Sequence, residues 1–142
     1  MKTAITGNVS IDIDAPKSKV WDALTNPEQI KKYLFGTQTS SDWKVGSPIT
    51  FRGEWEGKAY EDKGTILQIE PEKILKYSYW SSMSNTKDEP DNYQIMTYVL
   101  ESAGVKTRLS ILQESCPSEE ARKHSESNWK YVLETMKAML EK

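Results

Sequence analysis

The last stretch of the chain constrains everything before it. Trp129, Val132, Leu133, Met136 and Leu140 recur at i, i+3, i+4 and i+7 spacing, and charged residues fill the opposite side. That is the pattern of a long amphipathic helix, which must lie on something apolar. Pro117 and Ser118 precede Glu119 and Glu120, acidic residues that suit the positive end of a helix dipole. The apolar surface that receives this helix has to come from what precedes it, and what precedes it reads as strands.

From about Trp43 to Gln113 the apolar residues alternate, the mark of strands with one buried face. Ile49, Phe51 and Trp55 share one phase around Gly53, with Thr50, Arg52 and Glu54 in the other. Glu56-Gly57-Lys58 makes a turn into a strand from Tyr60 to Ile69, whose phase is ambiguous around Gly64, where a bulge is expected. After the turn Glu70-Pro71-Glu72-Lys73, Leu75, Tyr77 and Tyr79 alternate with Ile74, Lys76 and Ser78. Ser81 to Asn92 is polar, carries Pro90 and is long for a strand connection. It reads either as a disordered excursion or as a flap over a cavity mouth. Met96, Tyr98 and Leu100 share the next strand, Ser102-Ala103-Gly104 turns the chain, and Leu109, Ile111 and Gln113 share the last.

The N-terminal part completes the plan. Val9 to Asp14 alternates strictly, and Ala15-Pro16 opens a helix with Val20, Trp21 and Leu24 on one side. Asn26-Pro27-Glu28-Gln29 starts a second helix, with Asn as N-cap and Gln able to close a capping box. Ile30, Tyr33 and Leu34 give that helix an apolar face, and Gly36 is its stop. The order is strand, two short helices, a run of antiparallel strands and a long C-terminal helix, an α+β plan. A strongly curved sheet wrapped around the last helix leaves a natural ligand space between the two.

Composition excludes several function classes. Lys plus Arg is 19 against 21 Asp plus Glu, a net charge of −2, so no basic excess is available for a nucleic-acid backbone. No apolar run approaches the ~20 residues of a membrane span, and the N-terminus leads into alternation instead of an apolar signal core, so a cytoplasmic location is expected. One cysteine, Cys116, allows no internal disulfide, and with the single histidine, His124, no Cys/His zinc cluster. No metal or other cofactor is expected. At 142 residues one domain over 1–142 is expected, burying roughly 70% of the extended chain's surface. The excess to be explained is aromatic, with five Trp and seven Tyr against two Phe.

Several motifs resemble a known family. Ile11-Asp12-Ile13-Asp14-Ala15-Pro16 leading to Val20-Trp21-Asp22-Ala23-Leu24-Thr25-Asn26-Pro27-Glu28 is similar to the opening of the START/Bet v 1-like (SRPBCC) superfamily, and in particular of the branch named for the activator of Hsp90 ATPase homologue. Trp43-x-x-Gly46, Gly64-x-Ile66-Leu67-x-Ile69-x-Pro71 with Leu75-x-Tyr77, Thr107-x-Leu109-x-Ile111-x-Gln113-Glu114 and Trp129-x-x-Val132-Leu133-x-x-Met136-Lys137 also resemble it, with Asn128 standing where a glycine is expected. The resemblance implies a helix-grip fold, a curved antiparallel sheet gripping the C-terminal helix over a cavity. It also implies binding of lipids, steroids, polyketides or other apolar molecules, with cyclases and hydrolases among the relatives. The eukaryotic namesake stimulates a chaperone's ATPase with an additional domain for which this chain has no room, so co-chaperone activity is not transferred.

On the strand phases, Phe51, Trp55, Tyr77, Tyr79 and Tyr98 face inward towards Trp129, Leu133 and Met136. This set is expected either to line a ligand cavity or simply to pack. Tyrosine favours the cavity, because a buried hydroxyl needs a partner and a dry core favours Phe. Arg52 and Glu54 read as surface, and Glu54, Glu56, Glu61, Asp62, Glu70 and Glu72 mostly as solvating charges. His124 reads as a solvated helix residue with no nucleophile motif beside it, and Cys116 as a small, partly buried thiol. The leading expectation is a non-catalytic binding module for a small apolar or aromatic molecule. The alternatives are an enzyme acting on such a ligand, marked by paired ionisable groups inside the cavity, or a protein-interaction domain marked by an exposed apolar patch and a filled cavity.

Overall fold

The computed structural model describes residues 5–34, 36–55, 57–82, 87–114, 116 and 118–141, except for the Trp55 side chain. Seven strands form one antiparallel, curved sheet in the order β1-β7-β6-β5-β4-β3-β2. They are β1 (Gly7–Ile13), β2 (Gln38–Ser41), β3 (Pro48–Trp55), β4 (Lys58–Glu70), β5 (Ile74–Ser81), β6 (Gln94–Ala103) and β7 (Lys106–Glu114). Helices α1 (Lys17–Thr25) and α2 (Pro27–Tyr33) follow β1, and α3 (Glu119–Leu140) closes the fold.

The local causes are those the sequence announces, with small shifts. Pro16 is the extended residue just before α1, not its first helical residue. Asn26 caps α2 by accepting from the Glu28 N–H at 3.1 Å, so the cap closes through Glu28 without Gln29. Ser118 caps α3 by accepting from the Ala121 N–H, beside Glu119 and Glu120. Gly57, in the β3–β4 turn, has φ +80, which glycine adopts without a Cβ penalty. Glu56 of that turn lies outside the described residues.

In β4 the expected bulge is displaced. Ile66 pairs with Tyr77 and Gln68 with Lys76, so the register slips at Leu67, three positions beyond Gly64. Gly64 answers to a different constraint: a Cβ built there lies 1.5 Å from the Ser78 carbonyl oxygen, so only glycine fits the close backbone approach. Strand β2 is an addition to the sequence reading. Its four residues are polar, and only Thr39 turns inward to be buried against the sheet.

The long loop is partly resolved as a structural question. Residues 83–86 lie outside the described set. Asp88 pairs with Lys63 at 2.5 Å and accepts from the Tyr93 hydroxyl, while Tyr93 stacks on Trp80. Lys63 and Trp80 alternate with the inward Asp62 and Tyr79, so residues 87–92 pack on the outer face of the sheet and do not cover its concave side.

Helix α3 lies along β1 and is tied to it by both ends. Glu126 accepts from the Asn8 N–H and Glu141 from the Asp14 N–H, each at 2.8 Å, and Lys137 donates to the Asp12 carbonyl at 2.8 Å. The Asn8 N–H holds the Glu126 carboxyl below its ordinary pKa, and Lys137 does the same for Glu141. Under the helix, Leu133 and Met136 are fully buried against Ile13, Val20, Leu75, Leu109 and Ile111. No helix of the described residues is long and apolar enough to cross a membrane.

Candidate ligand pocket

Between the N-terminal half of α3 and the concave sheet lies a pocket of about 710 Å³. Its wall is a succession of rings. Trp129 meets Tyr98 edge-on at 5.9 Å between centroids, Tyr98 meets Tyr77 at 5.6 Å, Tyr77 meets Phe51 at 5.8 Å and Phe51 meets Tyr79 at 6.2 Å. These spacings are those of favourable aromatic pairs, so the ring faces are held in place by one another.

The hydroxyls on these rings are mostly satisfied internally. Tyr77 and Tyr98 share a hydrogen bond at 2.5 Å, and Tyr60 shares one with Thr37 at 2.5 Å. Tyr79 donates to Asp62 Oδ2 at 2.6 Å. Burial pushes the phenols of Tyr77 and Tyr98 well above their ordinary pKa, and burial followed by the Asp62 charge does so for Tyr79. All three therefore keep their protons at neutral pH. Gln113 and Gln94 hydrogen-bond through their side chains at the same end of β6 and β7.

The structure places the aromatic candidates together. Phe51, Tyr77, Tyr79, Tyr98 and Trp129 all line the pocket. Leu133 and Met136 do not; one turn and more beyond Trp129, they sit in the filled aliphatic core. Trp55 belongs to β3 by its backbone, and its side chain lies outside the described residues. His124 is exposed at the pocket rim beside Ser125 and Asn128. Cys116 is buried and donates to the Gln113 carbonyl at 3.4 Å, and burial raises its thiol pKa.

One reading is corrected. Asp62 is not a solvating charge: it turns inward on β4, and its Oδ1 is buried without a hydrogen-bond partner. Glu54 is exposed, as its phase requires, but it borders the pocket. Tyr60, Thr37 and Gln113 also line the pocket and were not singled out. Gln113 shares the inward phase of Leu109 and Ile111, and that phase is the signal that marks it. Among the described residues no three His, Cys, Asp or Glu side chains converge as a metal site requires.

A curved antiparallel sheet gripping a C-terminal helix, with two short helices after the first strand, defines the helix-grip class. The model for the family described as Activator of Hsp90 ATPase homolog 1-like protein matches residues 14–141, and the chain belongs to that family. A solution structure from Cytophaga hutchinsonii is similar, with 45% identity, 99% of this chain and 96% of that one covered, and a TM-score of 0.85. The Aha1 dimer from Colwellia psychrerythraea shares 20% identity over 96% of each chain, with a TM-score of 0.77. CalU16 from Micromonospora echinospora shares 20% identity over 96% of this chain and 83% of its own, with a TM-score of 0.71. At these lower identities the likeness is one of fold. No curated protein sequence matches the chain.

Proposed function

We propose that the chain, as one domain over 1–142, is a non-catalytic binding module that takes a small apolar or aromatic molecule between α3 and the sheet. The observation that carries this is the ring-lined pocket itself. Its volume falls in the roughly 300–1,000 Å³ range of small-molecule sites. Tyr77 and Tyr98 hydrogen-bond to each other, so each hydroxyl has a partner within the protein and the ring faces and edges are left for an apolar guest. Phe51, Tyr77, Tyr79, Tyr98 and Trp129 are the proposed contacts, with Trp55 at the far end of β3 and Leu133 and Met136 anchoring α3 to the aliphatic core. The guest is the only partner proposed, with a cytoplasmic setting.

The enzymatic alternative, of cyclase or hydrolase type, has one observation behind it: Asp62 and Tyr79 form an ionisable pair inside the pocket. Tyr79 holds its proton too firmly for neutral-pH acid–base work, so the pair suits binding better than proton transfer. The interaction-domain alternative calls for an exposed apolar patch. Among the described residues, the exposed large apolar side chains Val45, Leu67, Val105 and Tyr131 instead stand on separate loops, strands and α3.

The test is titration of the folded protein with environment-sensitive apolar dyes and a library of apolar and aromatic compounds. Saturable binding that changes Trp fluorescence is expected. A ligand at ~100 times its dissociation constant should stabilise the fold by roughly 2.7 kcal/mol. Absence of saturable binding across the library would replace this reading with the interaction domain.

A further inference from the structure

The pocket's rings say that a guest is apolar, and Asp62 says how it is oriented. Asp62 stands opposite Phe51 on β3 and Ser81 on β5, in the inward phase of β4. The Tyr79 hydroxyl pins its Oδ2 at 2.6 Å, so the carboxylate cannot swing out to water without breaking that bond. Its Oδ1 is buried and has no partner. A buried acceptor left unpaired is costly, and a charged one more so.

Among the described residues no Lys or Arg side chain answers it. The residues lining the pocket include no Lys or Arg, and the second carboxylate there, Glu54, adds negative charge at the rim. The nearest basic residues along the strands are engaged elsewhere: Lys63 pairs with Asp88 on the outer face, and Arg52 pairs with Glu61 at 3.1 Å.

We propose that Asp62 Oδ1 is a donor-reading subsite, and that the guest is an aromatic molecule bearing a hydroxyl or amino group that donates to this oxygen while its ring lies against Phe51, Tyr77 and Tyr79. The inference rests on the binding-module reading and narrows it. It selects phenols and arylamines and rejects guests that end in a carboxylate or phosphate, such as free fatty acids. For those, Asp62 and Glu54 supply repulsion where a partner is needed.

The test compares three probes of one shape: beta-naphthol, its methyl ether and beta-naphthoate. Affinities are read from Trp fluorescence and checked by calorimetry. The wild-type protein should bind the naphthol roughly 10-fold or more tightly than the ether, since a hydrogen bond to a charged acceptor separates them, and the naphthoate most weakly. In Asp62→Leu, with its fold verified by circular dichroism, naphthol and ether should converge. The wild-type ranking needs no variant, so the proposal remains testable should Asp62→Leu fail to fold. Equal wild-type affinity for naphthol and ether would overturn the subsite while leaving the binding module intact. So would tightest binding of the naphthoate, or a preference that survives in Asp62→Leu. Failure of all three probes to bind would overturn the subsite and count against the module as well.

Discussion

The two ends of the interior under α3 are built from different materials. Towards the C-terminal end, Ile13, Val20, Leu75, Leu109, Leu133 and Met136 interlock with no side-chain polar atom among them. Towards the N-terminal end, the same sheet and the same helix enclose rings, paired hydroxyls and a pocket. Flexible aliphatic chains fill whatever volume the backbone leaves. Rings held edge to face at about 6 Å, with tyrosine hydroxyls among them that must be answered, fix the distances between their neighbours and leave space unfilled. One fold thus holds a filled aliphatic end and an open, ring-lined end.

Alkali should separate the two ends most sharply. Tyr33, Tyr77, Tyr79 and Tyr98 all have phenols raised by burial, while the aliphatic end has nothing to titrate. A folded pKa above the unfolded value stabilises fully below about pH 10, and that contribution is lost as pH rises further. Phenolate absorbance should therefore appear in two phases, first from exposed tyrosines and then with loss of the fold. A single smooth titration of all seven tyrosines would refute the buried hydroxyl network.

Truncation should then distinguish filled from open space. Leu133→Ala or Met136→Ala should each cost about 2–5 kcal/mol by chemical denaturation, because a tightly filled site cannot collapse around the cavity. Neither should abolish dye binding at the other end. At the ring end, Tyr98→Phe should cost about 1–3 kcal/mol by stranding the Tyr77 hydroxyl. The double change Tyr77→Phe with Tyr98→Phe should recover much of that loss, and a purely additive pair would deny the coupling. Acid should act on the helix straps instead. The pKa values of Glu126 and Glu141 lie below their ordinary values in the fold, so their contribution is present above about pH 4.5 and lost as pH falls further. The smallest effect belongs to Thr97, in the phase opposite Met96 and Tyr98. Thr97→Val should change stability by no more than about 0.5 kcal/mol and leave dye binding untouched.

Phase made most of this legible beforehand. Leu75, Tyr77, Met96, Tyr98, Leu100, Leu109 and Ile111 are all buried where alternation put them, and the stripe of α3 is buried at Val132, Leu133, Met136 and Leu140. Asp62 escaped because β4 changes phase midway. Ile66 is buried and Leu67 is exposed, and beyond the slip Ile69 turns inward. Counting back from Leu67 and Ile69 sends Asp62 outward, and counting from Ile66 sends it inward. Strand β2 escaped because Gln38-Thr39-Ser40-Ser41 holds no apolar residue; its strand character comes from pairing with β3. The division of α3 into a pocket half and a core half also escaped, since one continuous stripe serves both.

The edge position of β1 has a consequence in time. Its pairing partner is β7, so Gly7 meets Gln113 and Ile13 meets Thr107, roughly a hundred residues along the chain. During synthesis, Val9, Ile11 and Ile13 must wait through five intervening strands before their neighbour β7 exists. Strand β1 waits longer still for helix α3, which is strapped to it. The meander from β3 to β7 is free to form in order, hairpin by hairpin, but the pocket has no roof until the last helix docks. The pocket is therefore completed only after all seven strands have been made, when α3 is in place.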